Sequence, residues 1–141
     1  DGPLESSIRH TLQSKKIKNL ALEERVDQTA VLQQMQDSDL LVQTSHGFDT
    51  QSMVLLEAMS VGLPVVICDP NLQETVPVGS AVLVEPNVQA LAHGIDESLS
   101  HPDSLNKMRR CMLSHRDEIR QSVHIAKLLK VYNKAIHDHK V

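Results

Sequence analysis

Residues 45–66 have the sequence SHGFDTQSMVLLEAMSVGLPVV, which contains the clearest succession of structural elements in the chain. A polar loop over 45–51 leads into a strongly apolar segment over 52–61, which predicts a buried helix. Gly62 stands where a left-handed helix cap is expected, and the proline two positions later prevents the helix from continuing. Residues 64–68 are rich in β-branched side chains and predict a buried strand. The order is therefore loop, helix, strand.

The rest of the chain continues this alternation. Further strands are predicted over 17–22, 39–44 and 81–84, and further helices over 3–14, 28–36, 88–99, 103–115 and 117–138. Asp27 is suited to cap the second of these helices. Short apolar strands that alternate with helices predict an α/β fold: a Rossmann-like parallel sheet with helices on both faces. We expect residues 1–141 to form a single domain, with its ligand at the carboxyl ends of the strands, where the loop 45–51 lies.

The composition excludes several classes of partner. The 141 residues carry a net charge of −4 and include one Phe, one Tyr and no Trp. Nucleic acid is therefore not an expected partner, because a basic surface and stacking platforms are both lacking. Cys68 and Cys111 are predicted to be free thiols of a reduced, cytoplasmic protein. No apolar run approaches the roughly 20 residues of a membrane span, and the chain does not start like a signal peptide.

Two acidic residues mark the candidate chemistry. Glu57 lies within the apolar helix, where an unpaired carboxylate is costly to bury, and Asp49 stands eight positions earlier, just before the helix. Because a helix rises about 1.5 Å per residue, both acids can face one pocket at the strand ends. The amides at the start of the helix, near residues 50–53, form an anion site of the kind that binds phosphate. Carboxylates for hydroxyls beside a phosphate site together predict a nucleotide-sugar ligand.

Each of these residues also has a purely structural interpretation. Asp49 is suited to be a helix cap, and Glu57 to lie on the exposed edge of an amphipathic helix. His46 and Glu74 are either neighbours of the ligand or solvated loop residues. The residues His137 to His139 are more typical of a solvated chain end than of a metal site. We therefore predict no metal site.

The same segment resembles the signature of the family-4 glycosyltransferases, which have the two-domain GT-B architecture. That signature is an acid, seven residues and a glutamate, followed by Ala-Met-Ala/Ser-x-Gly-x-Pro-Val-Val. Asp49 and Glu57 match the two acids, and residues 58–66 complete the pattern. Asp at the first position departs from the usual Glu and is one methylene shorter. Four further segments resemble parts of the family pattern: residues 1–3, 37–40, 73–76 and 82–86.

The resemblance implies a retaining transfer of a hexose that needs neither a metal nor a cofactor. By the same resemblance, Asp49 and Glu57 are the catalytic-site acids: Asp49 contacts hydroxyls of the donor sugar, and Glu57 accepts hydrogen bonds from the ribose. The diphosphate is then held by backbone at the start of the helix, from Thr50, Gln51, Ser52 and Met53.

The resemblance also implies that the chain is the carboxyl-terminal, donor-binding domain of a GT-B enzyme, truncated at its amino end. The family's phosphate-binding Arg and Lys and its acceptor domain have no counterpart in the sequence, so we expect no catalysis by the chain alone. The expected partners are a nucleotide sugar and an unidentified acceptor. Peripheral membrane association of the parent protein and dimerisation of the fragment through an open sheet edge stay open. Two alternatives remain: a degenerate GT-B domain that acts as a protein-interaction module, and a nucleotide-sugar epimerase, which the residues 57–65 fit less well.

Overall fold

A computed structural model describes residues 2–48 and 51–138 of the chain. The helices are α1 (Glu5–Ser14), α2 (Gln28–Gln36), α3 (Met53–Val61), α4 (Val88–Ser100), α5 (Pro102–His115) and α6 (Gln121–Asp138). The strands are β1 (Leu41–Gln43), β2 (Val65–Ile67) and β3 (Ala81–Leu83), and short 3-10 helices cover Pro70–Thr75 and Arg116–Ile119. The chain divides into two units, residues 1–31 and residues 32–141.

The three strands form one parallel sheet in the second unit. Its order is β1-β2-β3, with Val42 opposite Val66 and Val66 opposite Val82. Every connection between these strands must cross from one end of the sheet to the other, because parallel neighbours cannot be joined by a tight turn. The predicted α/β fold, a parallel sheet flanked by helices, is confirmed.

The core of this unit is built around the central strand. All three residues of β2 are fully buried, as is Leu55 of α3 and Met112 of α5. Helix α4 packs against β2, and Gly94 permits its close approach to the residue that follows β3: a Cβ at Gly94 would lie 2.6 Å from a methyl carbon of Val84. The buried apolar side chains are aliphatic, as the composition predicts.

Helix α3 ends at the glycine that the sequence indicated. Gly62 has a φ of +77°, in the left-handed region. Its N–H donates to the carbonyl of Met59 (3.2 Å), and the N–H of Leu63 donates to the carbonyl of Ala58 (2.8 Å). This pair of hydrogen bonds is the Schellman motif, which satisfies carbonyls at the end of the helix.

Substitution of Gly62 by alanine should therefore destabilise the protein more than the same change at Gly79. The left-handed conformation costs an L-residue about 1–2 kcal/mol at either position. At Gly62 the new Cβ would also lie 2.6 Å from the Cγ of Leu113, whereas Gly79, with a φ of +87°, has no atom within 4 Å of that position. Urea unfolding of Gly62→Ala and Gly79→Ala measures the difference. Equal decreases in the free energy of unfolding of the two variants would show that the Leu113 side chain moves aside without an energetic cost.

One predicted strand is absent from the first unit. Its helix α1 agrees with the prediction for 3–14, but residues 17–22 form neither strand nor helix, so that prediction was wrong. A strand is stable only beside a partner, and the described residues of this unit contain none. Helix α1 itself has no buried residue, and Leu4 is 67% exposed.

The remaining helix predictions are confirmed with small changes. Asp27 caps α2, because its Oδ1 accepts the N–H of Ala30 at 2.9 Å. The single helix predicted over 117–138 is instead the 3-10 helix Arg116–Ile119 followed by α6. None of the described helices combines the length and the apolar character needed to cross a membrane.

Candidate functional site

Two loops meet at the carboxyl edge of the sheet. One follows β1, which ends at Gln43, and the other follows β2, which ends at Ile67. The N–H of Gly47 in the first loop donates to Oδ2 of Asp69 in the second, at 2.6 Å. In the first loop, Nε2 of Gln43 also donates to Oγ of Ser45 at 3.1 Å. The described part of the loop after β1 therefore lies at the edge where ligands of parallel sheets bind.

The loop after β1 is followed by the start of α3. Ser52, the N-cap residue, is buried and has an extended backbone, but its side chain makes no capping hydrogen bond. Its carbonyl accepts the N–H groups of Leu55 and Leu56 at 3.2 and 3.3 Å. The first turn of α3 contains no acidic side chain. The positive end of the helix is thus not neutralised by the helix's own residues, which is the electrostatic condition for binding an anion.

A cavity of about 1120 Å³ extends along one side of α3. Gln51 and Met53, two of the predicted phosphate-site residues, line it together with Glu74. Titratable side chains, including His124 and Lys127 of α6, also line it. The structure therefore brings part of the predicted site together with Glu74, for which the sequence left two interpretations open.

The other predicted site residues lie elsewhere. Ser52 and Glu57 are described, but neither lines this cavity. Glu57 is half-buried on α3, one turn after Met53, and its backbone carbonyl accepts the hydroxyl of Ser60 at 2.6 Å. Asp49 and Thr50 lie outside the described residues. The roles of Asp49 and Glu57 toward a donor sugar stay predictions.

Asp69 is the residue of this edge that the sequence interpretation missed. It is 1% exposed, and its Oδ1 accepts the N–H of Asn71 at 2.9 Å while Oδ2 accepts that of Gly47. The hydrogen bond from Gly47, followed by that from Asn71, lowers the pKa of the carboxyl group; burial opposes them, and the nearby charge of His46 adds to the lowering. Its sequence signal was an acid immediately after a buried strand and before a proline, a pattern that favours a turn with side-chain to backbone hydrogen bonds.

Two sets of side chains bear on metal and thiol chemistry, the candidate metal ligands and the cysteines. Residues 2–48 and 51–138 contain no group of three or more His, Cys, Asp or Glu placed to hold a metal ion. Cys68 and Cys111 are free thiols, and burial raises the pKa of Cys68. The thiol of Cys111 lies 3.4 Å from the carbonyl oxygen of Val78, to which it donates.

Comparison with known proteins identifies the family of this chain. Residues 1–112 match the family described as glycosyl transferases group 1. The chain belongs to this family. The matched residues include the two predicted site acids, Asp49 and Glu57. They also include Asp69 and all three strands of the sheet. A comparison with curated protein sequences gave no match.

A solved structure supports the same fold. Sucrose-phosphate synthase from Thermosynechococcus elongatus is similar to this chain with a TM-score of 0.80 and 20% sequence identity over 97% of the chain. The chain covers 35% of that enzyme's length. At this level of identity the similarity establishes the fold, a Rossmann-like domain of the GT-B type.

Proposed function

We propose that this chain is the donor-binding domain of a retaining, family-4-type glycosyltransferase that transfers a hexose from a nucleotide sugar to an acceptor. The observation that carries the proposal is the start of α3. The side chain of its N-cap residue, Ser52, makes no capping hydrogen bond, the first turn of the helix contains no acid, and the described part of the preceding loop lies at the carboxyl edge of the sheet. In a group 1 glycosyl transferase, that is a site for the anionic part of a donor.

The proposed roles follow from this placement. The diphosphate binds the amides at the start of α3, where backbone dipoles favour negative charge. Glu57, one turn further along the helix, accepts hydrogen bonds from the ribose hydroxyls, and Asp49 accepts hydrogen bonds from the donor sugar. The charge that develops on the leaving diphosphate is stabilised by the helix dipole, so the proposal includes no metal.

Catalysis is proposed for a longer protein that includes this chain. The chain spans about a third of the sucrose-phosphate synthase that it resembles. A site that lacks the remaining part of a GT-B enzyme has no surface to orient the acceptor, and that orientation supplies much of the rate acceleration. We propose that the chain by itself binds nucleotide without turnover, and that the longer protein acts in the cytoplasm.

Calorimetric titration of the 141-residue chain tests this function. The titrants are UDP, GDP and ADP, each paired with its nucleoside as the matched control that lacks the diphosphate. We expect one diphosphate to bind more tightly than its nucleoside, and no transfer or hydrolysis of the corresponding hexose donor. Equal binding of diphosphate and nucleoside, or no binding at all, would overturn the proposed diphosphate site. Turnover by the chain would contradict its proposed inactivity.

The alternative is a degenerate domain that acts as a protein-interaction module. One observation favours it: β1 pairs only with β2 among the described strands, which leaves its other edge available for pairing with another chain. This alternative predicts no nucleotide binding and a dimer through that edge. Sedimentation velocity of the sample used for titration measures its oligomeric state. A dimer that binds no nucleotide would support the interaction module, and nucleotide binding would support the donor-binding domain.

A further inference from the structure

Asp69 is a charged side chain in a place where charges are rarely found. It is 1% exposed, and aspartate is almost never fully buried unless it is paired. Its partners are two backbone N–H groups, one for each carboxylate oxygen. The geometry accounts for the burial, because each oxygen accepts a charge-assisted hydrogen bond. It does not account for why a carboxylate, rather than a smaller neutral side chain, occupies this position.

The two hydrogen bonds do different things. The bond from Asn71 is local: Asp69 is the N-cap of the 3-10 helix Pro70–Thr75, a task that Asn or Ser performs equally well. The bond from Gly47 joins residues 22 positions apart and ties the loop after β1 to the loop after β2. Only a carboxylate offers acceptor oxygens to both amides without placing a donor against a donor.

We infer that Asp69 is a positioning residue for the donor site: its carboxylate fixes Gly47 in the loop that follows β1. This inference rests on the proposed function for the identity of the ligand. In the described part of this loop, Ser45 accepts a hydrogen bond from the Gln43 amide and Gly47 donates one to Asp69. Gly47 also has a φ of +74°, a conformation that glycine adopts without strain.

The consequence concerns the start of α3 at Met53, six positions beyond Gly47. An anion site made of backbone amides depends on the loop that sets their direction, because the amides cannot reorient as side chains do. If Gly47 is released, the local cap and the strands remain intact, but the loop after β1 loses its hydrogen bond to the loop after β2. A residue of purely structural importance would instead change stability without changing affinity.

Asp69→Asn separates these effects, since an asparagine keeps one oxygen for Asn71 and turns an amide donor toward Gly47. Its matched control is Asp27→Asn, the same chemical change at an aspartate whose side chain caps α2 locally through Ala30. The readouts are UDP, GDP and ADP affinity, hydrogen exchange at the Gly47 amide, and thermal unfolding of the whole chain.

We expect Asp69→Asn to lower the affinity for the best-binding diphosphate by about tenfold or more, the effect of one charge-assisted hydrogen bond. Gly47 should exchange faster in this variant, and Asp27→Asn should change neither.

The outcomes separate this inference from the proposed function. Unchanged affinity and unchanged Gly47 exchange in a folded Asp69→Asn chain would overturn the inference. If the wild-type chain binds no diphosphate, the proposed function fails, and the Gly47 exchange alone then decides whether Asp69 holds the loop. If Asp69→Asn does not fold, Asp69→Ser takes its place, because a serine keeps a capping oxygen but does not reach Gly47.

Discussion

Substitution of Glu57 by alanine is expected to remove most glycosyl transfer from an enzyme that contains this chain, while its fold remains intact. A carboxylate that accepts hydrogen bonds from ribose hydroxyls contributes about 1.5–3 kcal/mol for each charge-assisted bond. Each bond lost therefore lowers kcat/KM by roughly 10- to 150-fold. Glu57 is half-buried within α3, and alanine is the best helix former, so the cost to stability should be small. Steady-state kinetics and urea unfolding of the same preparation measure both effects.

Two variants control for the loss of an acid as such. Glu57→Gln keeps the shape of the side chain and one acceptor oxygen but loses the charge, so its activity should lie between those of wild type and Glu57→Ala. Glu97→Ala removes a side chain that is 63% exposed on α4, and its activity should match wild type. Full activity in a folded Glu57→Ala enzyme would contradict the ribose-binding role.

The parts of the fold that were predicted correctly are those set by neighbouring residues. Helix α3 is one residue shorter than the prediction, and its end follows from the conformation of Gly62 and the proline beyond it. The strand β2 was recognisable because a strand buried on both faces needs an unbroken apolar run. Capping of α2 by Asp27 needs only a side-chain oxygen within three residues of its partner.

The failures are features that depend on distant residues. Residues 17–22 have an apolar pattern suited to a strand, but pairing requires a second strand, and a local pattern does not report whether one is present. Asp69 was overlooked for the same reason, because Gly47, its decisive partner, is 22 positions away. The cavity beside α3 is likewise invisible in the sequence, since it combines α3 with residues of the 73–79 segment and of α6.

The packing of α3 is expected to make a large contribution to stability. Leu55 is fully buried, and α3 packs against α5 and the 3-10 helix Arg116–Ile119. This packing fixes where the start of α3 points, so the core and the proposed anion site share one element. Removal of a buried side chain from α3 should therefore lower both the stability of the core and the affinity of the proposed anion site.

Leu55→Ala is expected to lower the free energy of unfolding by about 2–5 kcal/mol, the range for a buried leucine whose surroundings relax only partly. That is a large share of the about 5–15 kcal/mol that stabilises a typical domain. Leu128→Ala is the matched control, because it removes the same atoms from a helix at a position that is 42% exposed; its cost should stay below about 1 kcal/mol, since little apolar area leaves a buried environment. Urea titration of the two variants followed by circular dichroism makes the comparison. Similar losses of unfolding free energy for Leu55→Ala and Leu128→Ala would mean that α3 does not organise the core. The packing of α3 would then not set the direction of the proposed anion site.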